Sequence, residues 1–196
     1  MVRTVFALFA SMAAAASASA ATSCEALARL TLPGASIASA VSVPSGSFTP
    51  PDSKPIANLP AFCRVTGVIS PAPDSNIRFE VWLQSSGWNG EFEGVGNGGF
   101  AGVINYSDMA AAISRGYATA STDTGHQAGG TDATWALGHS EKIADFGYRA
   151  IHETAEKAKA VNCRLLRTRT PPFVLRILLQ WRTAGPHGSP TIPGRL

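Results

Sequence analysis

The chain has 196 residues, of which 45% are hydrophobic and 15% are charged, and its formal net charge is +3. This length is sufficient for one domain with a hydrophobic core, and the composition excludes an intrinsically disordered chain. No Asp or Glu follows Glu156, so the positive charge is concentrated near the C-terminal end of the sequence. The net charge therefore gives little indication of a nucleic-acid partner, and we expect none.

Residues 1–20 have the organisation of a secretory signal peptide. Arg3 precedes an apolar run from Val5 to Ala16, and Ala18-Ser19-Ala20 supplies small residues for cleavage. The apolar run is too short for a membrane-spanning helix. We therefore expect an exported protein, secreted or periplasmic, that has no membrane partner.

The next part of the chain predicts short elements and one long irregular segment. Glu25 to Leu30 is a candidate short helix, whereas Pro33 to Pro60 is rich in Pro, Ser and Gly and predicts an extended surface arm with little regular structure. Cys63 to Ile69 is a candidate strand. From Ile77 to Gln84 apolar and polar residues alternate, which predicts a strand with one buried face.

A glycine-rich segment follows a short predicted strand, Phe92 to Val95. Glu93 to Gly102 reads E-G-V-G-N-G-G-F-A-G, a backbone that can adopt positive φ and direct several amide N–H groups at one point. Such a loop can hold an oxyanion, hold the phosphates of a nucleotide, or form a structural turn. Gly94, Gly96 and Gly99 match G-x-G-x-x-G, but the residues that follow predict loop or strand where the dinucleotide motif requires a helix. Export further disfavours a nucleotide-dependent oxidoreductase.

The segment after the glycines predicts two helices and a buried strand. Ser107 is a candidate cap for a helix from Met109 to Arg115. Tyr117 to Ser121 predicts a central strand, and S-T-D-T-G-H follows at its C-terminal end, where ligand sites in open α/β sheets lie. A second helix is predicted from Lys142 to Val161. Four of its residues share one face: Tyr148, Ile151, Ala155 and Ala158. The alternation of strands and helices predicts an α/β fold.

Several polar residues in this region allow more than one role. Asp123 and His126 could form a base with its partner or a pair of metal ligands, but the favoured interpretation is that Asp123 caps the turn and His126 hydrogen-bonds within it. His139 is expected at a helix start and His152 in solvent. Asp145 is expected to complement the dipole of the first helical turn.

Three consecutive segments of the sequence resemble one family. G-V-G-N-G-G-F-A-G, R-G-Y-A-T-A-S-T-D-T-G-H and D-A-T-W-A-L-G-H-S-E-K-I-A-D-F-G-Y-R-A-I-H are similar to segments of the tannase and feruloyl esterase family and stand in the family's order. The resemblance runs from Cys24 to about Val161. It implies a secreted serine esterase of the α/β-hydrolase type, with a mainly parallel sheet, flanking helices and aromatic esters such as gallates or ferulates as substrates.

The resemblance also implies roles for individual residues. Gly98 and Gly99 would lie in the loop that supplies one oxyanion donor, while the other donor comes from the residue after the catalytic serine. Asn97, Asp123 and His126 are candidate pocket residues, although the family takes its catalytic histidine from another segment. No cofactor or metal is expected in this chain, because the family's calcium-binding lid comes later than this chain extends.

An exported protein can form disulfides, and the chain has three cysteines. We expect a Cys24–Cys63 bridge, and the family has a matching pair at these positions. Cys163 is left without a partner.

The family's nucleophile is missing. Neither G-x-S-x-G nor G-C-S-x-G-G occurs in the sequence, which predicts an incomplete α/β-hydrolase without a nucleophile elbow or lid and with little or no catalysis. The alternative is a secreted, non-catalytic module that binds its ligand through the glycine-rich segment. Residues 21–161 would be the N-terminal part of the esterase domain.

Residues 162–196 are interpreted as an aberrant Arg- and Pro-rich tail that is not natively folded. With suitably chosen codons, Arg176 to Arg182 read one base later give A-S-C-S-N-G-G, close to the family's nucleophile motif, and the frame would change near Asn162 to Arg164. The other interpretations are a basic tail that binds an anionic partner and a short buried strand at Phe173 to Leu179.

Overall fold

The computed structural model describes residues 22–51 and 53–166. The predicted signal peptide, residues 1–20, and the predicted tail from residue 167 onward lie outside these residues. Within the two described ranges, no helix is both long enough and apolar enough to span a membrane.

Strands form a five-stranded sheet and a separate two-stranded sheet. The large sheet has the strand order β1-β4-β5-β7-β6, and β2 pairs with β3 in the small one. The strands are β1 (Ala35–Val43), β2 (Gly46–Phe48), β3 (Ile56–Leu59), β4 (Phe62–Ile69), β5 (Ile77–Gln84), β6 (Phe92–Val95) and β7 (Ala118–Thr122).

Helices cover both faces of the large sheet. They are α1 (Tyr106–Ser114), α2 (Ser140–Ala144) and α3 (Ala150–Leu166). A π-helical turn, Asp145–Arg149, joins α2 to α3, and two short 3₁₀ helices span Glu25–Arg29 and Thr134–Ala136. The expected α/β class and the expected short helix after Cys24 are confirmed.

The described part of the sheet is mixed, which corrects the expectation of a mainly parallel one. β1, β4, β5 and β7 pair antiparallel in succession, and β6 pairs parallel with β7. The connections explain the difference. The short loop 70–76 joins β4 to β5 as a hairpin, whereas α1 provides the crossover that a parallel β6–β7 pair requires.

The prediction of an irregular arm from Pro33 to Pro60 is wrong, because this segment contains β1, β2 and β3. β1 pairs with β4 from Ala35 opposite Ile69 to Val43 opposite Phe62. Most β1 side chains are partly or fully exposed, so the strand depends on backbone hydrogen bonds and carries little apolar periodicity. Because β1 has no apolar pattern, the sequence did not predict it as a strand.

β5 is buried on both faces, which corrects the prediction of one buried face. Every residue except Arg78 is buried, including the polar Glu80 and Gln84. These polar residues are satisfied inside the protein: Glu80 accepts hydrogen bonds from Arg64, and the Gln84 amide donates to the Ile113 carbonyl of α1. Alternating polarity therefore arose from internal hydrogen bonding and not from solvent exposure.

Both main helices begin or end differently from the prediction. α1 begins at Tyr106 and is capped by Asn105, whose side chain accepts from the Asp108 amide at 3.2 Å; the predicted cap, Ser107, donates to that same Asn105 oxygen at 2.9 Å. α3 continues to Leu166, beyond the predicted end at Val161. Asn162 is buried in this last part of the helix.

The π turn changes which face of the second helix is buried. An extra residue in a turn rotates the following side chains by about 100° relative to a continuous α-helix. Ala155 and Ala158 are buried, but Tyr148 is 66% exposed. The prediction that Tyr148 shares one face of the helix with them is therefore wrong. Glu153 and Lys157, four residues apart on α3, form an ion pair with 2.7 Å between the charged atoms.

The predicted Cys24–Cys63 disulfide is formed, with 5.5 Å between the two Cα atoms. It connects the start of the first 3₁₀ helix to β4, and both cysteines are buried in the core. Cys163 on α3 is a free cysteine.

Candidate functional site

Two loops lie side by side where the parallel strands β6 and β7 end. The glycine loop (residues 96–102) follows β6, and the second loop (residues 123–130) follows β7. Because parallel neighbours end at the same edge of a sheet, the two loops meet there. This edge is where α/β proteins build ligand sites.

Backbone hydrogen bonds join the two loops. The Phe100 amide donates to the Gly130 carbonyl at 2.9 Å, and the Gly102 amide donates to the Ala128 carbonyl at 3.0 Å. Two glycines allow this approach. A Cβ on Gly99 would lie 2.4 Å from the Gly130 oxygen, and Gly99 has φ +59°. A Cβ on Gly102 would lie 2.3 Å from the His126 carbonyl oxygen. The glycine loop is therefore shaped by its neighbour.

We expect Gly102→Ala to lower the free energy of unfolding by about 1–3 kcal/mol, because the new methyl group must displace the His126 backbone. Gly129→Ala is the matched control: it lies in the second loop, and its Cβ would meet nothing within 4 Å. Urea denaturation of both variants tests the prediction. Equal free energies of unfolding for the two variants would contradict the prediction, because they would show that moving the two loops apart costs no stability.

The amides of the glycine loop divide into bonded and available donors. Phe100 and Gly102 donate to the second loop, and Ala101 donates to the Gly98 carbonyl at 3.2 Å. Within residues 22–51 and 53–166, the amides of Gly98 and Gly99 have no acceptor, and both residues are exposed. Gly98 and Gly99, which the family resemblance places in the loop that supplies one oxyanion donor, thus have exposed N–H groups with no acceptor among the described residues.

Asn97 holds the start of the glycine loop in place. Its side-chain amide donates to the Thr122 carbonyl at the end of β7, at 3.0 Å. This bond links the ends of the two parallel strands. Asn97 therefore lies between the two loops, next to the free amides.

Asp123 caps the second loop, as the favoured interpretation expected. Its Oδ1 accepts from the Gly125 amide at 3.0 Å and from the Arg78 amide at 2.9 Å. The side chain is buried, and this burial raises the pKa of Asp123 to about 6, although the two amide bonds oppose the shift. The carboxyl group thus has a structural role in the described part of the chain.

This pKa predicts a pH dependence of stability. The folded-state pKa of Asp123, about 6, lies above the ordinary value of 3.8. The stabilisation from the protonated Asp123 carboxyl is therefore fully present when the pH is below the ordinary pKa. It is lost as the pH rises through the folded-state pKa. Asp123→Asn can still accept both amide bonds but cannot ionise, so we expect the variant to gain stability relative to the wild type between pH 4 and pH 7. Denaturation curves that stay parallel across this pH range would contradict the prediction.

His126 is buried, and both of its ring nitrogens face protein oxygen atoms. Nε2 lies 2.9 Å from the Phe100 carbonyl oxygen of the glycine loop, and Nδ1 lies 3.4 Å from the Thr124 hydroxyl. The ring stacks on Trp135, with 3.8 Å between centroids, and meets the edge of Phe146. The favoured interpretation placed its bonds within its own turn, but the shorter bond crosses to the other loop.

The alternative roles for Asp123 and His126 find no support in this geometry. Their side chains share no hydrogen bond, and both imidazole nitrogens face other protein atoms. Among the described residues, no group of three or more His, Cys, Asp or Glu side chains could hold a metal ion.

The other polar candidates lie in separate places. His139 stands at the N-cap of α2 and pairs with the exposed Asp74 at 2.8 Å, and His152 is exposed. Asp145 corrects the expectation of a dipole-complementing acid: it is fully buried in the π turn and pairs with Arg149 at 3.0 Å. The buried Asp145 carboxylate therefore interacts mainly with Arg149. The π turn places the Asp145 side chain against Gly125 of the second loop.

Sequence reasoning missed the aromatic cluster behind the loops. Phe146 of the π turn contacts Phe100 and Trp135, with centroid distances of 6.0 and 5.2 Å. These three residues are far apart in sequence and share no periodicity. A tryptophan in a loop, such as Trp135, is expected to pack against other side chains. Its contact with Phe146, however, depends on the π turn.

A small cavity lies between α3 and the ends of β6 and β7. Its volume is about 20 Å³, the scale of one water molecule. An aromatic ester is far larger than this space. The cavity is lined by Phe92, Gly94, Val95, Gly96, Ala120, Ser121, Thr122, Ile151, Thr154 and Ala155.

Comparisons with known proteins agree on one family. The family sequence model described as "Tannase and feruloyl esterase" matches residues 63–170. An uncharacterized esterase of Xanthomonas campestris pv. campestris is 48% identical over 161 residues, which cover 82% of this chain and 27% of the relative. The probable feruloyl esterase B-1 of Aspergillus oryzae is 34% identical over 139 residues, which cover 66% of this chain and 25% of the relative.

A solved structure has the same fold. The crystal structure of feruloyl esterase B from Aspergillus oryzae superposes with a TM-score of 0.72 at 30% identity, over 79% of this chain and 32% of that one. The chain spans about a quarter of the length of the two relatives above. The chain belongs to the tannase and feruloyl esterase family, whose fold is of the α/β-hydrolase type.

Proposed function

We propose that this chain carries the oxyanion side of a serine carboxylesterase site that acts on aromatic esters such as ferulates and gallates. The observation that carries the proposal is the pair of free, exposed amides at Gly98 and Gly99, held at the ends of β6 and β7. Relatives and a similar structure are named feruloyl esterases, which supports the substrate class.

The chemistry of ester hydrolysis explains why these amides matter. When a serine attacks the ester carbonyl, negative charge develops on the carbonyl oxygen. Fixed N–H donors stabilise that charge, and each donor contributes about 10²–10³ to kcat in known hydrolases. In this proposal Gly98 and Gly99 supply such donors. Asn97 borders the pocket, while the buried Asp123 and His126 support its loops from behind without touching the substrate, and none of the three takes part in proton transfer.

The nucleophile must come from elsewhere. The 196 residues contain no G-x-S-x-G and no G-C-S-x-G-G, so we propose that the chain as written does not hydrolyse esters. Purified, sequence-verified protein should release no ferulate or gallate from the corresponding methyl esters. Hydrolysis that disappears on treatment with a serine-directed organophosphate would contradict this part of the proposal.

A second experiment addresses the coding sequence itself. We propose reading the DNA from the codon for Ala160 past the stop codon. An inserted or deleted base near Asn162 that restores S-C-S-N-G-G would supply the missing serine, and the corrected protein should then hydrolyse the same esters. If the other frame holds no such motif, the tail is genuine and the non-catalytic binding module becomes the favoured function.

The alternative function is a secreted module that binds aromatic acids or esters without turnover. Phe100, directly after the free amides, is 44% exposed and offers an apolar surface beside two N–H donors. Calorimetric titration with ferulate and methyl ferulate separates the two functions. Binding without turnover by a protein whose coding sequence is confirmed would favour the module.

We further propose that the protein is exported, to the cell exterior or the periplasm. The Cys24–Cys63 disulfide supports this location, because such bonds persist in oxidising compartments. Residues 1–20 have the pattern of a signal peptide. Expression with residues 1–20 fused to a reporter enzyme should deliver the reporter outside the cytoplasm, and retention inside would contradict the proposal.

A further inference from the structure

We infer that His126 is a positioning residue for the glycine loop: its Nε2–H donates to the Phe100 carbonyl and thereby fixes the direction of the Gly98 and Gly99 amides. The inference rests on the proposed function for its catalytic meaning. Its structural content stands on the contacts of His126 alone.

The hydrogen bond defines the protonated nitrogen. A carbonyl oxygen can only accept, so at 2.9 Å from the Phe100 oxygen Nε2 must carry the hydrogen. The Thr124 hydroxyl, which lies 3.4 Å from Nδ1, donates its own hydrogen to the Asp123 carbonyl at 2.7 Å. The contact at Nδ1 is long, and the bond at Nε2 is therefore the one that orients the ring.

The surroundings keep the ring in that orientation. His126 is 6% exposed, and its ring stacks on Trp135 with an interplanar angle of 16°. Phe146 closes a second side of the ring. A rotation that broke the bond to Phe100 would also break this stacking, so the imidazole is held like a fixed donor.

The Phe100 carbonyl is the point where this donor controls the loop. Phe100 follows Gly99 directly, and its own amide is bonded to Gly130. Both polar groups of Phe100 are thus held by the second loop. A glycine pair has wide conformational freedom, and an anchored residue at its C-terminal side limits the φ and ψ values the pair can adopt. Holding Phe100 therefore restricts where the Gly98 and Gly99 amides point.

The histidine has no evident competing role. It shares no hydrogen bond with Asp123; its Nε2 is bonded to Phe100, and its Nδ1 faces the Thr124 hydroxyl oxygen. A preorganised donor pair is worth more in catalysis than a mobile one, because it needs no reorganisation as charge develops. His126 would therefore act on the oxyanion through Phe100 without touching the substrate.

Two substitutions separate the hydrogen bond from ring packing. In His126→Gln the side-chain amide nitrogen can take the place of Nε2, whereas in His126→Asn it reaches only the place of Nδ1. Both variants remove the ring that stacks on Trp135. His152→Gln, at an exposed position, is the control for the substitution itself.

The measurement is NMR of the isotopically labelled 196-residue chain. In the wild type, imidazole ¹⁵N shifts should show Nε2 protonated. Loss of the bond in His126→Asn should speed the hydrogen exchange of the Phe100 and Gly102 amides by about fivefold and move the Gly98 and Gly99 amide signals, since a typical hydrogen bond is worth about 1 kcal/mol. His126→Gln should restore both readouts toward the wild type.

Two results would overturn the inference. One is a wild-type imidazole whose Nε2 carries no proton, which needs no variant. The other is equal exchange rates and equal Gly98 and Gly99 shifts in the Gln and Asn variants, which would leave packing on Trp135 as the only role. No ester enters these measurements, so their failure is distinct from a failure of the proposed esterase function.

Discussion

Glu80→Ala is expected to lower the free energy of unfolding by about 3–5 kcal/mol, because it removes the acceptor at the centre of a buried polar network. The Glu80 carboxylate on β5 is 6% exposed. It accepts from Arg64 Nε at 2.8 Å, from the Trp82 indole at 3.1 Å and from the Tyr106 hydroxyl at 2.9 Å.

The size of the effect follows from what alanine leaves behind. The Arg64 side chain is 19% exposed and would keep its charge with no anion beside it. The buried Trp82 N–H and the Tyr106 hydroxyl would each lose an acceptor. Burial, followed by the charge of Glu80, raises the pKa of Tyr106, so the phenol stays protonated and continues to need an acceptor.

Urea denaturation at neutral pH measures the effect, with two further variants for comparison. Glu80→Gln keeps one acceptor oxygen and should lose less stability than Glu80→Ala. Glu156→Ala breaks an exposed pair with Lys159 and should cost less than about 1 kcal/mol. If Glu80→Ala cost no more than Glu156→Ala, water would have to replace the carboxylate, and the network could not be considered buried.

Local patterns in the sequence predicted those elements that depend on local physics. β4, β6, β7 and the helix after residue 140 follow from apolar runs and their flanking residues. The turn at Asp123 could also be predicted, because a short carboxylate readily caps its own backbone two residues on.

The errors arose where distant contacts decide the structure. β1 has few buried side chains, so only the backbone of β4 explains its existence. The polar residues of β5 looked solvent-facing because Arg64 and Tyr106, which satisfy Glu80, come from other elements. No window around β5 contains those partners.

The candidate site shows the same division. The glycines predicted a loop with free amides, since that property is local to residues 96–102. The role of the second loop was not predictable, because the bond that Phe100 donates to Gly130 and the one that it accepts from His126 depend on the β6–β7 pairing. The π turn likewise shows no signal in the sequence, although it sets Phe146 against Trp135.

Replacing both bridging cysteines, Cys24→Ala together with Cys63→Ala, should lower the free energy of unfolding by about 4 kcal/mol. The bond closes a loop with a sequence separation of 39 residues. In the chain-entropy model, opening a loop of about this length raises the conformational entropy of the unfolded state. This lowers the free energy of unfolding by close to that amount. Both positions are buried among apolar residues, so two alanines leave no unpaired polar group.

Cys163→Ser is the matched control, because Cys163 is a free, partly buried cysteine on α3 and should contribute little. Guanidinium denaturation with and without dithiothreitol compares the three proteins. Reductant should destabilise the wild type and Cys163→Ser toward the double variant and leave the double variant unchanged. A wild type that is indifferent to reductant would mean that Leu27, fully buried beside the bridge, holds the N-terminal segment by packing alone. The disulfide would then add no stability and would no longer support export to an oxidising compartment. The proposal of export would rest only on residues 1–20.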